Sequence, residues 1–314
     1  MKLNENNNLK NLSLAKQTKH LLQNHGIRLN RNLGQNYLID DFKRKKIIDF
    51  ANINNNDIIL EIGPGIGTLT LELAKKAKKV IAIEQDPKIF EILSERIKKG
   101  SIDNIELINE DALKTNILKF SESNKIVSNL PYQISSPITF KFLDFDFDMA
   151  ILMYQKEFVQ RMIAKVCEKN YSRLSAMLYF KAKIEFLDNI PPHSFIPRPK
   201  VNSAVVKLTP INYEDIFSPE KINFKELLNK VSFKNIFNDY ANVCRIIFPH
   251  INKKIRNALI DSRHMLNYKD KKELRDLLDA HDSLDPFLEK RVISTSPEEL
   301  LELTIILKKI FKRY

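Results

Sequence analysis

Half of the chain's glycines lie in a single loop. The 314 residues include only 6 glycines, whereas the usual share of about 7% would give roughly 22. Three of them, Gly63, Gly65 and Gly67, fall within five residues. Glycine adopts positive φ angles at little cost and lets a ligand approach the bare backbone. The sequence therefore predicts an unusual backbone conformation in this loop.

Short apolar runs alternate with helical patterns around the glycine loop. Residues 57–62, just before it, are predicted to form a buried strand, and further strands or extended segments are predicted at 80–84, 105–108, 125–129, 149–154, 174–187 and 204–209. Buried strands that alternate with helices predict a doubly wound, parallel α/β sheet. The glycine loop then lies at the carboxyl end of a strand, where such sheets bind ligands.

The pattern becomes helical after Pro210. Helical spacing of apolar residues recurs in five segments: 224–237, 241–248, 253–261, 269–281 and 297–314. These predict a small all-helical domain at 211–314, after an α/β domain at 26–210. Residues 1–25 are predicted to be an N-terminal extension, disordered where it is polar and rich in asparagine, with a short helix over Leu14–Asn24.

The chain carries an excess of positive charge. It has 51 Lys and Arg against 39 Asp and Glu, a formal net charge of +12, which favours a polyanionic partner such as a nucleic acid. The excess is concentrated in residues 1–50 and 234–263. Within the second region Lys253, Lys254 and Arg256 are predicted to contact RNA phosphates. A solvated helix face is the alternative for any single lysine.

Several other kinds of site and location are disfavoured. Cys167 and Cys244 lie far apart without CxxC spacing or a histidine partner, so neither a disulfide scaffold nor a metal site is predicted. No apolar run approaches the roughly 20 residues that span a bilayer, and the N-terminus lacks the apolar core of a secretory signal. We therefore expect a cytoplasmic protein without a membrane partner. We also expect the protein to be a monomer.

The spacing of the glycine loop selects among nucleotide-like ligands. It is GxGxG, without the GxGxxG of dinucleotide folds or the GK[ST] of phosphate loops, so S-adenosylmethionine fits better. Glu84 ends the second strand, where its carboxylate could accept hydrogen bonds from two ribose hydroxyls. Asp111 follows the third strand, where it could accept one from an adenine amine. Either acid alone could be a solvated residue or a helix cap, but together they favour the ligand.

The most specific chemical signal is Asn129-Leu130-Pro131-Tyr132, at the end of the fourth strand. The N6 lone pair of adenine is delocalised into the ring and is a poor nucleophile. The Asn129 side-chain oxygen and the Leu130 carbonyl could accept hydrogen bonds from N6 and turn its lone pair toward a methyl group. Pro131 would fix the turn, and Tyr132 could stack on the base. An ordinary turn after a strand is the alternative.

These motifs resemble those of the KsgA-type ribosomal RNA adenine dimethyltransferases, more specifically their archaeal and eukaryotic branch. The similarity runs from about residue 26 to the C-terminus and rests on Gly34–Asp40, Glu61–Gly65, Asn129–Pro137 and Phe195–Ser203. It implies a Rossmann-like class I S-adenosylmethionine-dependent methyltransferase with a helical rRNA-binding domain. It also implies transfer of four methyl groups to two adjacent adenines near the 3′ end of small-subunit rRNA, in rRNA or a pre-30S-type particle.

The resemblance also implies roles for individual residues. Seven are expected to contact the cofactor: Asn36, Leu38, Gly63, Gly65, Glu84, Asp111 and Asn129. Among them Glu84 would hold the ribose. Phe195 would stack on the target adenine opposite Tyr132. Tyr37 departs from the family's pattern, in which phenylalanine is commoner at this position.

Two other functions remain open at this point. Related enzymes dimethylate large-subunit rRNA and confer macrolide resistance, although the full Phe195–Ser203 segment and the archaeal-like ends disfavour them. The second alternative is a ribosome-assembly binding factor in which methylation is secondary or lost. The intact glycine loop and the Asn129–Tyr132 motif argue against an outright loss.

Overall fold

The computed structural model describes residues 12–27, 36–211 and 233–311. The chain divides into two compact units, one made of residues 1–159 with 184–210 and the other of 160–183 with 211–314. Residues 160–183, which fall inside the α/β domain expected from the sequence, therefore group with the helical unit. The asparagine-rich N-terminus and residues 224–232 of a predicted helix lie outside the described residues.

A mixed sheet is the centre of the first unit. The strands of the described residues are, in chain order, β1 (Tyr37–Leu38), β2 (Ile58–Ile62), β3 (Lys79–Glu84), β4 (Ile105–Asn109), β5 (Lys125–Asn129), β6 (Met149–Gln155), β7 (Ala182–Ile190), β8 (Phe195–Ile196) and β9 (Ser203–Pro210). Seven of them form one sheet in the order β4-β3-β2-β5-β6-β9-β7, while β1 pairs with β8. Strands β2 to β6 are parallel, as predicted, but β9 is antiparallel to β6. The expectation of a wholly parallel sheet is therefore wrong at β9.

The parallel strands are buried, which accounts for their continuous apolar sequences. Ile59 and Leu60 of β2 and Val80 and Ile81 of β3 are all excluded from solvent, as expected of a sheet covered on both faces. Because β2, β3, β4 and β5 run in one direction, the segments that follow them meet at one edge of the sheet. That edge receives the glycine loop and the polar residues after each strand.

The α-helices of the described residues are, in chain order, α1 (Leu14–Asn24), α2 (Asp41–Phe50), α3 (Thr70–Leu73), α4 (Pro87–Lys99), α5 (Ser135–Phe142), α6 (Lys156–Met162), α7 (Arg173–Tyr179), α8 (Phe233–Ile247), α9 (Ile255–Asp261), α10 (Lys271–Asp279), α11 (Asp285–Leu288) and α12 (Pro297–Ile310). The predicted N-terminal helix is confirmed at both ends. Within the described ranges, no helix combines the length and the apolar character needed to cross a membrane.

The extended segment predicted over 174–187 is wrong in its first part. Residues Arg173–Tyr179 form α7, and the strand β7 begins only at Ala182. The side chains of Ser172 and Ser175 form a reciprocal capping box that starts the helix. A short apolar run is compatible with a buried helix as well as with a strand, so the local cap decides the outcome.

In the second unit, the two helices predicted at 224–237 and 241–248 are continuous where they are described, as α8. Tyr240 of α8 is fully buried, and its hydroxyl donates to the Ala176 carbonyl of α7 at 3.0 Å. The Tyr171 hydroxyl likewise donates to the Thr295 carbonyl at 3.0 Å. These bonds satisfy polar groups inside the helical core, where an unpaired hydroxyl would be costly.

A buried ion pair fastens β5 to the loop before β2, at the amino edge of the sheet. Lys125 Nζ lies 2.9 Å from Asp57 Oδ2, and the two residues are only 6% and 3% exposed. Asn124 Nδ2 donates to the other oxygen of Asp57 at 2.8 Å. Burial opposes ionisation, but the hydrogen bonds from Lys125 and Asn124 hold the pKa of Asp57 below its usual value.

We expect Lys125→Met to lower the free energy of unfolding by about 3–5 kcal/mol, because Asp57 would remain buried without its counter-charge. Lys76→Met is the matched control, since Lys76 pairs with Asp49 on the exposed surface, and it should cost no more than about 1 kcal/mol. Urea unfolding measures both. Equal losses in the two variants would refute the role given to the buried pair.

Candidate active site

A cavity of about 500 Å³ opens at the carboxyl edge of the parallel strands. Its walls come from β1 and from the segments that follow β2, β3, β4 and β5. The structure brings together at this cavity all ten residues predicted for the cofactor or for catalysis: Asn36, Leu38, Gly63, Gly65, Glu84, Asp111, Asn129, Leu130, Pro131 and Tyr132. Parallel strand direction explains why residues so far apart in sequence converge.

The glycine loop has the unusual backbone that its composition predicts. Gly63 and Gly65 have φ angles of +68° and +57°, a region that disfavours residues with a side chain. A Cβ on Gly63 would lie 3.1 Å from Pro131 Cδ, and one on Gly65 would lie 3.0 Å from Tyr37 Cε1. The loop is thus confined between β1 and the turn after β5, with its backbone against the cavity.

Glu84, at the end of β3, holds the glycine loop as well as facing the cavity. Its Oε2 accepts a hydrogen bond from the Gly65 amide at 3.1 Å, and its Oε1 accepts one from the Asp86 amide at 2.9 Å. Burial raises the pKa of Glu84, although these two backbone bonds favour the charged form. The carboxylate is therefore fixed in place before any ligand arrives.

Glu61 is a cavity residue that the sequence analysis did not assign to the site. Its side chain is 1% exposed, and its Oε2 has no hydrogen-bond partner within the described part of the chain. Burial raises the pKa of Glu61 to about 8, and the nearby charge of Glu84 adds to the shift. A charged residue at the end of an otherwise apolar strand was the signal that could have revealed it.

The cavity wall is acidic. Among the described residues that line it are five with carboxyl groups and none that is Lys, Arg or His. The five acids are Glu61, Glu84, Asp86, Glu110 and Asp111. S-adenosylmethionine carries positive charge on its sulfur and its amino group, so this set of acceptors fits it, and the unpartnered Glu61 oxygen could take a cationic donor. No group of three or more His, Cys, Asp or Glu residues within the described ranges is arranged to hold a metal ion.

The loop that carries Asp111 is tied to the helix after the Asn129–Tyr132 turn. Asp111 Oδ1 accepts a hydrogen bond from the Leu113 amide at 2.9 Å. Lys141 of α5 donates through Nζ to the carbonyls of Ala112 and Leu113, at 2.8 and 2.7 Å. The ammonium group therefore couples two walls of the cavity, a connection that no local motif in the sequence indicates.

The Asn129 amide has a defined orientation. Its Nδ2 donates to the backbone carbonyl of Asn36 at 3.0 Å. Only the NH2 group of an amide side chain can donate to a carbonyl oxygen. This bond therefore fixes the positions of Nδ2 and Oδ1 in the Asn129 side chain. The acceptor Oδ1 is left for other partners at a position that lines the cavity.

Tyr132 follows Asn129 by three residues and has its own anchor. Its hydroxyl forms a 2.6 Å hydrogen bond with Ser203 Oγ at the start of β9. Burial raises the pKa of Tyr132 above that of a free tyrosine. Ser203 therefore sets the direction of the ring, although the sequence analysis included it only as the last residue of a motif.

Phe195 differs from the expectation that it stacks on the target base. The residue does not line the cavity and is 1% exposed, within a core cluster that includes Leu38 and Val205. Pairing of β8 with β1, which sets Phe195 opposite Leu38, turns the ring into this core. In the described arrangement the ring offers no free face to a base.

The three cations predicted to contact phosphates belong to the second unit and are paired with acids. Lys253 contacts Asp261 at 2.7 Å, and Lys254 contacts Glu289 at 2.6 Å. Arg256 contacts the same Glu289 at 3.3 Å and also bonds to Asp279. The positive charge of this group is thus largely compensated, so the arrangement gives no support to its expected role as a phosphate site.

Relatives of this chain carry consistent descriptions. A family model for ribosomal RNA adenine dimethylases matches residues 26–271. A protein from Methanosphaera stadtmanae, described as a probable ribosomal RNA small subunit methyltransferase A, is 46% identical over 93% of this chain and 98% of its own. A protein of the same description from Methanothermobacter thermautotrophicus is 44% identical over 92% and 95% of the two chains.

Solved structures also resemble the chain over most of its length. A dimethyladenosine transferase from Plasmodium falciparum is 32% identical, with a TM-score of 0.67 over 86% of this chain and 97% of its own. The 23S rRNA methyltransferase ErmE is 25% identical, with a TM-score of 0.56 over 87% and 100%. The fold is therefore that of a Rossmann-like methyltransferase with a helical C-terminal region. The chain belongs to the ribosomal RNA adenine dimethylase family.

Proposed function

We propose that the protein transfers methyl groups from S-adenosylmethionine to N6 of two adjacent adenines near the 3′ end of small-subunit rRNA. The substrate is this rRNA or a pre-30S-type particle that contains it. The observation that carries the proposal is the Asn129 amide, whose donor end is occupied by the Asn36 carbonyl and whose acceptor end remains for an exocyclic amine. It lies in one cavity with an acidic wall that suits the methyl donor.

The chemistry requires positioning rather than a strong base. S-adenosylmethionine supplies a methyl group bound to a positively charged sulfur, and this sulfur is a good leaving group. Asn129 Oδ1 and the Leu130 carbonyl accept the two N6 hydrogens and direct the nitrogen lone pair toward that methyl group. Tyr132, held by Ser203, stacks on the extruded base. With S-adenosylmethionine bound, the new N–C bond would replace its S–C bond, and the methylated nitrogen would release a proton to water.

The cofactor is held by residues that end successive strands. Glu84 would accept hydrogen bonds from the ribose, in addition to those that it accepts from the Gly65 and Asp86 amides. Gly63 and Gly65 allow close approach of the backbone, while Asp111 accepts from the adenine amine. Asn36 and Leu38 complete the pocket from β1.

The choice of small-subunit rRNA rests on the relatives. Those at 46% and 44% identity are described as small-subunit methyltransferases and match this chain almost end to end. The large-subunit enzyme ErmE is less similar in sequence, at 25% identity. This difference favours the small subunit. An additional role in ribosome assembly is compatible with methylation.

We expect Asn129→Ala to lower the rate of methyl transfer by about 10²–10³-fold, the usual effect of losing one hydrogen bond made in the transition state. Asn129→Asp keeps an acceptor oxygen and should retain more activity than Asn129→Ala. Single-turnover incorporation of labelled methyl groups into unmethylated small-subunit rRNA measures both variants. Full dimethylation by Asn129→Ala would rule out the role given to this residue.

We expect Glu84→Ala to raise the Kd for S-adenosylmethionine by about 10–100-fold, because hydrogen bonds to a charged acceptor contribute about 1.5–3 kcal/mol. Glu95→Ala is a suitable control, since Glu95 is exposed on α4 and forms an ion pair with Lys99. Titration calorimetry measures both values. A Kd that is the same in both variants would contradict the assignment of Glu84 to the ribose.

A further inference from the structure

We propose that the segment 196–202, which we call the basic rim, binds phosphates of the RNA strand beside the target adenine through Arg198 and Lys200. The inference rests on the proposed function, because it concerns how the same site holds its RNA substrate. The phosphate contact would thus lie in the first unit, at residues other than Lys253, Lys254 and Arg256.

The basic rim begins at elements that form the cofactor side of the cavity. At its start, Ile196 of β8 pairs with Tyr37 of β1, a residue that lines the cavity. One residue before β8, Ser194 Oγ donates to Asp40 Oδ2 at 2.9 Å, and the Ser194 carbonyl accepts from the Ile39 amide at 2.8 Å. The first end of the segment is therefore fixed against β1.

The other end of the basic rim is fixed on the target-base side. Ser203 directly follows it and bonds to the Tyr132 hydroxyl at 2.6 Å. The Asn202 carbonyl accepts a hydrogen bond from the Lys156 amide at 2.9 Å. A segment of seven residues (196–202) thus connects the two sides of the cavity, so its backbone runs beside the position proposed for the extruded adenine.

The middle of the basic rim is stiff and open to solvent. Pro197 and Pro199 flank Arg198 and restrict the backbone, so little conformational entropy is lost when a ligand binds. Arg198 and Lys200 are both exposed, and Val201 is 42% exposed. Two cations two residues apart are therefore presented on a preorganised backbone.

The charges of the basic rim are uncompensated, unlike those of Lys253, Lys254 and Arg256. No Asp or Glu occurs from residue 189 to residue 213, and neither Arg198 nor Lys200 forms an ion pair with any of the described residues. The cavity wall next to the rim holds five carboxyl groups. Phosphates would be repelled by that wall and attracted to the rim, which separates the RNA backbone from the methyl-donor pocket.

This distribution fits a nucleotide that leaves its stack to enter the cavity. When a base is extruded, its flanking phosphates stay outside the pocket at the protein surface. Arg and Lys contacts to those phosphates position the strand without reading its sequence. An acidic face of a ribosomal protein is the competing partner for the basic rim. Binding to RNA alone and to whole small subunits distinguishes this partner from RNA phosphates.

The test is the salt dependence of RNA binding by the double variant Arg198→Gln/Lys200→Gln. The probe is a fluorescently labelled RNA stem-loop with two adjacent adenines in its loop, and anisotropy gives the affinity. Loss of two phosphate contacts should reduce the slope of log K against log salt by about 1.4, since each single-strand contact contributes about 0.7. The KM for the RNA should rise, and the Kd for S-adenosylmethionine should equal that of the wild type.

The matched control is Lys78→Gln/Lys98→Gln. It makes the same change in charge at two exposed residues. Lys78 lies directly before β3 and Lys98 lies in the last turn of α4, both at the edge of the sheet opposite the cavity. Its slope should equal that of the wild type. The same slope in both double variants would overturn the proposal.

Two further outcomes are also decisive. If the rim variant binds the stem-loop normally but fails to bind isolated small subunits, its partner is a ribosomal protein and the phosphate site is rejected. If the wild type does not methylate small-subunit rRNA, the proposed function fails, while the difference in slope between wild type and rim variant still decides whether the rim binds phosphates.

Discussion

The parallel alignment of β2, β3, β4 and β5 is the constraint on which the site depends. It brings Gly63, Glu84, Asp111 and Asn129, which are spread over more than sixty residues of sequence, to one edge of the sheet and into one cavity. The Lys125–Asp57 pair fixes the opposite edge. Hydrogen bonds then refine the positions: Glu84 holds Gly65, Lys141 holds the carbonyls after Asp111, and the Asn36 carbonyl orients the Asn129 amide.

Charge divides the first unit into two regions that suit different ligands. The cavity wall carries five acids and suits a positively charged methyl donor. The basic rim at 196–202 carries two unpaired cations within the described part of the chain and suits phosphates. The two regions meet at Tyr132, whose hydroxyl bonds to Ser203 at the end of the rim. Under the proposed function, this arrangement would keep the RNA backbone outside while one base enters the pocket.

Much of the fold and the site follows from local sequence. The glycine cluster predicts the positive φ angles of Gly63 and Gly65, and strand endings predict where Glu84 and Asn129 meet. What local sequence could not predict depends on contacts between distant residues. The antiparallel pairing of β9, the burial of Phe195 opposite Leu38 and the pairing of Lys254 with Glu289 are of this kind. The role of Glu61 was predictable in principle, because a charged residue inside a strand expected to be buried carries a large desolvation cost.

The central claim is that this chain methylates adjacent adenines of small-subunit rRNA. Mass spectrometry of the 3′-terminal fragment of that rRNA, from cells with and without the protein, tests it most directly. The account predicts that the fragment from cells without the protein lacks four methyl groups on two neighbouring adenines, and that the gene restores them. The same dimethylated adenines in both samples would contradict the claim.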